Sequence, residues 1–307
     1  MQSSHSGSMP DTLASCISHV QEVLEQTGNE AASQEAYIMA WYLLGASPTD
    51  IALDPGRVVD EQGRAVLEDA LRRRTAGEPI QYICGRAPFR YADLICREGV
   101  FIPRPETEVL VDLALEAADT MLFSCDPGDP AFSDGILVAD LCCGSGTIAV
   151  SMASERPKVR CFAGDISQDA VELARENASA LGVSDKVDVR CGDLFEPFPG
   201  MAFHVVVSNP PYIPTANLAA LPSEVADWEP VEALDGGEGG LDVFERIVGG
   251  CEDHLMPGGY LVCELDESTL DAARDICEGC PSVEFEDVRV EKDLAGRDRV
   301  IMARRCR

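Results

Sequence analysis

Positive charge is the scarcest commodity in this sequence. Its 307 residues carry 24 Lys and Arg against 54 Asp and Glu, for a net charge of −30 and a pI near 4.3. A surface this acidic repels phosphate backbones, which argues against direct nucleic-acid binding and suits a basic protein partner. The run Arg72-Arg73-Arg74 is too short to alter that balance and reads as a solvated helix face. Histidine is sparse too, with only four. None stands at ligand spacing to Cys277-x-x-Cys280, and no second such pair exists, so no metal is expected there. No apolar stretch reaches membrane-spanning length and no signal peptide is evident. The 13 Cys are odd in number and scattered through apolar segments. A reducing cytoplasm is therefore expected, with thiols used as small buried hydrophobes.

What is present is enough for two domains, with 46% hydrophobic residues to supply their cores. Residues 1–10 read as a flexible start or tag remnant. Over 11–84 apolar residues recur at helical spacing: Leu13, Ile17, Val20 and Leu24, then Ala36, Met39, Ala40 and Leu43, then Val66, Ala70 and Leu71. Breaks at Gly28, at Gly45 to Pro48 and at Asp54 to Gly56 divide this stretch into the helices of a small bundle. Residues 85–103 have strand character around a turn at Tyr91-Ala92-Asp93, which predicts a β-hairpin linker. Over 104–307 strands and helices alternate, the pattern of an α/β sheet. The last two strands, Val283 to Val290 and Asp298 to Ala303, are joined too closely for a crossover helix and should form an antiparallel hairpin.

Four strand ends in succession carry candidate functional residues. Ile136 to Leu141 reads as a buried strand, with Asp140 near its end, and is followed by Cys142-Cys143-Gly144-Ser145-Gly146-Thr147. A glycine-rich turn between strand and helix lets a ligand approach the backbone. No Lys follows, which argues against a phosphate-binding P-loop, and the further glycine of a dinucleotide site is missing near Ala149. The next strand ends in Asp165, where α/β nucleoside sites place an acid on the ribose hydroxyls. The third ends in Gly192-Asp193-Leu194-Phe195, with Asp193 suited to an adenine amino group and Leu194 or Phe195 to its ring. The fourth, Phe203 to Ser208, runs into Asn209-Pro210-Pro211-Tyr212. Two prolines hold the chain stiffly there. A planar –NH2 would find two acceptors, the Asn209 side-chain oxygen and the Pro210 carbonyl, with Tyr212 as a wall. His204 reads as a strand residue rather than a base, and Trp228 as a buried anchor. The segment from Ile213 to Leu241 is too long for an ordinary connection and suits a lid or a substrate-binding loop.

This ordered series resembles the class I S-adenosylmethionine-dependent methyltransferases, and Asn-Pro-Pro-Tyr resembles those that methylate a planar nitrogen. Gly77-Glu78-Pro79-Ile80-Gln81-Tyr82-Ile83-Cys84-Gly85 and Phe101-Ile102-Pro103-Arg104-Pro105-Glu106-Thr107-Glu108 narrow the likeness to the HemK/PrmC family, the N5-glutamine methyltransferases of peptide chain release factors. Leu234 to Asp242 and Lys292 to Arg299 fit the same pattern. The resemblance implies a Rossmann-like seven-stranded sheet over 104–307 and a substrate-recognition role for the helical domain at 11–84. It implies S-adenosyl-L-methionine as cofactor, held by Asp140, Cys142, Cys143, Gly144, Ser145, Gly146, Asp165, Asp193, Leu194 and Asn209. Asn209, Pro210 and Tyr212 are implied as catalytic, and with Pro211 as the substrate site for the glutamine of a Gly-Gly-Gln motif in release factors. A monomer is expected. Two departures stand out: Cys142 replaces the family's usual Gly, and Glu264-Leu265-Asp266-Glu267 replaces a Glu-x-Gly followed by Gln. Alternatives are a ribosomal-protein glutamine methyltransferase, a DNA adenine-N6 methyltransferase, which the acidic charge disfavours, and an inactive cofactor-binding module.

Overall fold

A computed structural model describes residues 9–124 and 132–307, so residues 1–8 of the expected flexible start lie outside the described residues. The chain divides into two compact units, residues 1–86 and 87–307. The first is helical: α1 (Leu13–Gln26), α2 (Ala32–Leu44), α3 (Pro48–Leu53), α4 (Glu61–Thr75) and α5 (Ile80–Cys84). Thr12, Ser47 and Asp60 cap α1, α3 and α4 with side-chain oxygens, and left-handed Gly45 and Gly85 end α2 and α5. The periodic apolar residues Leu13, Ile17, Val20, Leu24 and Met39 meet in one core with Leu67 and Leu71. The arginine run departs from the sequence expectation. Only Arg72 is a solvated face; Arg73 pairs with Glu78, and Arg74 reaches buried Glu35 at 2.7 Å. Burying Glu35 and Glu78 would be costly without a cation, and the run supplies both partners.

The boundary between the units falls just inside β1 (Arg86–Phe89), which forms a hairpin with β2 (Ala92–Ile95) ahead of α6 (Thr107–Ser124). There follow β3 (Ile136–Leu141), α7 (Thr147–Glu155), β4 (Val159–Asp165), α8 (Gln168–Ala180), β5 (Val187–Cys191), β6 (Phe203–Ser208), α9 (Ser223–Ala226), α10 (Asp242–His254), β7 (Leu255–Glu264), α11 (Leu270–Gly279), β8 (Phe285–Lys292) and β9 (Asp298–Arg305). The seven strands after the hairpin form one sheet in the order β5-β4-β3-β6-β7-β9-β8. All neighbours are parallel except β9, antiparallel to both β7 and β8, as the short final connection required. This is the seven-stranded sheet that the resemblance implied.

Strand periodicity builds the two faces. Val138, Val205 and Val207 point to the side covered by Leu110, Val111, Ile148 and Val171 of α6, α7 and α8. Ala139, Leu141 and Val206 point to the side covered by Phe244, Ile247, Leu270 and Ala273 of α10 and α11. With both faces covered, all six residues of β6 are buried, which is why the run reads as continuous rather than alternating. Strand order reverses between β3 and β6, and open sheets of this kind form their crevice at that point, beyond the strands' carboxyl ends. Among the described residues no helix is long and apolar enough to cross a membrane, and no cluster of His, Cys, Asp and Glu could hold a metal.

Candidate active site

A cavity of about 800 Å³ lies at the carboxyl ends of β3, β4, β5 and β6, within the second unit. Its wall includes Cys142 to Ser145, Asp165, Asp193, Leu194 and Asn209 to Tyr212, so four separate sequence signals converge on one space. Of the predicted site residues, Asp140 and Gly146 are not part of that wall. Asp140 is fully buried below the loop, where it accepts a hydrogen bond from the Ala149 amide at 3.0 Å. Burial raises its carboxyl to about 8, with the Ala149 N–H only partly offsetting the effect. Gly146 begins α7 with a φ of 77°, and a Cβ there would lie 2.9 Å from Ala174 Cβ, so its smallness lets α8 pack closely.

The turn itself is held from β4. Asp165 accepts from the Gly144 amide at 2.8 Å and from the Ser167 amide at 2.9 Å, one through each carboxylate oxygen. Burial pushes the Asp165 carboxyl up, against those backbone donors. Gly144 has a φ of 53°, and a Cβ added there would meet nothing within 4 Å. Cys142, at the family's usual glycine, has a φ of 57°, a conformation that strains any residue with a Cβ. Burial pushes its thiol up to about 12, which keeps it protonated at neutral pH. Behind the turn, Asn177 ties three pieces together: its oxygen accepts from the Ile95 amide at 2.7 Å, and its Nδ2 donates to the Ile95 and Ser145 carbonyls.

At the end of β5 the structure separates two residues that sequence treated as equivalent. Leu194 lines the cavity, whereas Phe195 is stacked on His254 with ring centroids 4.6 Å apart. Asp193 receives Arg246 of α10 at 2.6 Å, a partner with no sequence signal near the β5 motif. His204 is buried in β6, where its Nδ1 accepts from the Leu137 amide, in keeping with a strand residue. Trp228 is only half-buried, less enclosed than an anchor residue should be.

Asn209 is held by residues far away in sequence. Its Nδ2 donates to Thr107 Oγ1 at 3.3 Å, and the Thr107 hydroxyl donates to Glu264 Oε2 at 2.8 Å. One N–H of the amide is thereby engaged, which orients the side chain and leaves Oδ1 available as an acceptor. Tyr212 lines the same wall, its hydroxyl kept firmly neutral by burial, with Glu264 adding to the effect. The segment following it is zipped at its ends: the Ile213 amide donates to Leu234, and the Gly236 and Thr215 amides to Ile213 and Gly237. Its middle is fixed as well, because buried Glu229 pairs with Arg104 and accepts from the Ile102 amide.

Sequence comparison decides what this site belongs to. The PrmC N-terminal domain matches residues 15–85, and the Methyltransferase small domain matches 129–220. The release factor glutamine methyltransferase of Moorella thermoacetica is 38% identical over 236 residues, covering 77% of this chain and 78% of that one. The chain belongs to the release factor glutamine methyltransferase family. The enzymes of that name from Caulobacter vibrioides and Clostridium acetobutylicum extend the match. They are 35% and 33% identical, over 95% and 92% of this chain and 96% and 94% of theirs. A release factor glutamine methyltransferase uses S-adenosylmethionine, and the cavity suits that donor. Gly144 leaves open space beside the backbone, and an acid stands at the end of each of β4 and β5.

Proposed function

We propose that this chain methylates the side-chain nitrogen N5 of the glutamine in the Gly-Gly-Gln motif of a peptide chain release factor. The observation that carries the reading is Asn209, which lines the cavity next to Pro210 and whose Nδ2 is tethered to Thr107, an orientation that leaves Oδ1 as its acceptor. A primary amide brings two N–H donors and needs two acceptors. A hydroxyl acceptor would leave one of them unmatched.

The bound cofactor supplies an electrophilic methyl group on a sulfonium. The residues of the chain do the positioning. Cys142 to Ser145 would hold the methionine end, and Asp165 has carboxylate lone pairs remaining for ribose hydroxyls after its two backbone bonds. Asp193 and Leu194 would take the adenine. Asn209 Oδ1 and the Pro210 carbonyl hold both amide hydrogens of the glutamine, which also favours the positive charge developing on nitrogen as conjugation with the carbonyl is lost. Pro211 stiffens the turn and Tyr212 confines the amide plane. No dedicated base is needed, because an N-alkylated amide cation is strongly acidic and releases its proton to water. The helical unit is read as recognising the folded release factor, and the acidic surface as favouring a basic protein over nucleic acid. The free thiols, most of them buried, suit a reducing cytoplasm, and a monomer is proposed, which light scattering would check.

The test is mass spectrometry of a release factor incubated with enzyme and S-adenosylmethionine. A gain of about 14 Da, one CH2, on the Gly-Gly-Gln glutamine is expected. Asn209→Ala should lower kcat by roughly 10²–10³ with cofactor affinity retained. Residues 87–307 alone should bind cofactor and methylate intact release factor poorly. Label appearing on DNA adenine instead of release factor would overturn the reading.

A further inference from the structure

The tether that orients Asn209 ends on a group that can change its proton count. We infer that Thr107 and Glu264 are positioning residues that set which end of the Asn209 amide faces the acceptor. The inference rests on the reading of Asn209 as the amide-binding residue. A threonine hydroxyl has one proton to donate. An ionised Glu264 can only accept, so the Thr107 proton goes to it, Thr107 oxygen must then accept from Asn209 Nδ2, and Oδ1 faces the cavity. With a proton on Glu264 the chain can run the other way. Glu264 then donates to Thr107, Thr107 donates to Asn209 Oδ1, and the amide turns its nitrogen toward the cavity. A substrate –NH2 would then meet a donor instead of an acceptor.

The surroundings make this choice sharp. Thr107 is 3% and Glu264 1% exposed, so water competes little for the bond between them. Thr107 is the first residue of the long helix α6, whose positive end favours a charged carboxylate nearby. Arg299 and Arg104 also favour the carboxylate, while Glu106 opposes it; Tyr212, a neutral phenol, feels the charges of both Glu264 and Asp266. Burial outweighs the favourable contacts and lifts the Glu264 carboxyl to about 7. The productive orientation is therefore gained as pH rises through neutrality and lost as it falls.

The experiment follows kcat against pH on a release factor for the wild type, Glu264→Gln, Thr107→Val and Thr107→Ser, with calorimetric cofactor affinity as the check on folding. In the wild type kcat should fall about tenfold per pH unit on the acid side of the Glu264 transition. Thr107→Ser should keep that limb. Glu264→Gln should flatten it, and Thr107→Val should flatten it and lower the plateau about tenfold, with KM little changed. An unaltered limb in Glu264→Gln, or equal behaviour of the Val and Ser variants, overturns the inference. A second readout needs no turnover. The 13C titration of the Glu264 carboxyl, assigned by its loss in Glu264→Gln, should move to higher pH in Thr107→Val and stay in place in Thr107→Ser. An unmoved titration in Thr107→Val also overturns the coupling. Should the wild type leave release factor unmethylated, the acceptor assignment fails separately, and the carboxyl titration still reports on the tether.

Discussion

Two glycine-rich segments border the cavity, and Gly144 in one does the opposite of Gly236, Gly237 and Gly240 in the other. In the turn after β3, Gly144 faces empty space, and its lack of a side chain leaves room for a ligand. In the segment 235–240 three of the four glycines have no room for a side chain, and only Gly239 is open. A Cβ on Gly236 would lie 2.7 Å from Tyr212 Cα, one on Gly240 would lie 2.4 Å from the Tyr212 carbonyl oxygen, and one on Gly237 would overlap the Asp242 carboxylate. The first segment keeps a space open. The second braces Asn-Pro-Pro-Tyr from behind, backbone against backbone. Glycine content alone therefore says nothing about mobility; what surrounds each α-carbon decides.

Substitutions can break or sharpen that contrast. Gly240→Ala should do the most damage, since it adds overpacking to a backbone at φ 77°. A loss of roughly 3 kcal/mol in urea unfolding is expected, with kcat down about a hundredfold as Tyr212 is displaced. Gly144→Ala should cost only about 1 kcal/mol of stability, from the left-handed backbone. Its effect should appear in calorimetry instead, as a cofactor affinity weakened about tenfold by a methyl group in the ligand's space. Equal stability losses in the two variants would erase the distinction. The smallest effect should come from Cys142→Gly, which relieves a side chain held at φ 57°. Some of that relief is offset by the greater freedom of glycine in the unfolded chain, so a gain near 0.5 kcal/mol in urea unfolding is expected. A loss there would mean that Cys142 packing outweighs its strain.

The legibility of this fold in its sequence followed from locality. β3 and β6 are mostly apolar and almost wholly buried because both of their faces are covered, and the closing hairpin was dictated by a connection too short for anything else. The four loop signals were readable because each sits at the end of its own strand. What could not be read was partnership across the chain. Thr107 and Glu264 are separated by 157 positions, and Arg246 is 53 from Asp193, with no periodic pattern linking either pair. Leu194 and Phe195 were interchangeable as letters, and only the His254 ring beneath Phe195 distinguishes them. The left-handed turn at Cys142 was half legible: the resemblance marked the position as unusual, while the dihedral angle gave the reason.

The three hydrogen bonds of Asn177 have a consequence for how the molecule breathes. One side chain holds both the amide and the carbonyl of Ile95 in the hairpin and the carbonyl of Ser145 in the turn. Neither piece can separate from α8 without loosening the other's anchor, so hairpin and turn share one local opening equilibrium. A ligand that binds only the closed turn draws that equilibrium toward closure. The Ile95 amide, which lies outside the cavity wall, then becomes a hydrogen-exchange reporter of whether the cavity is filled.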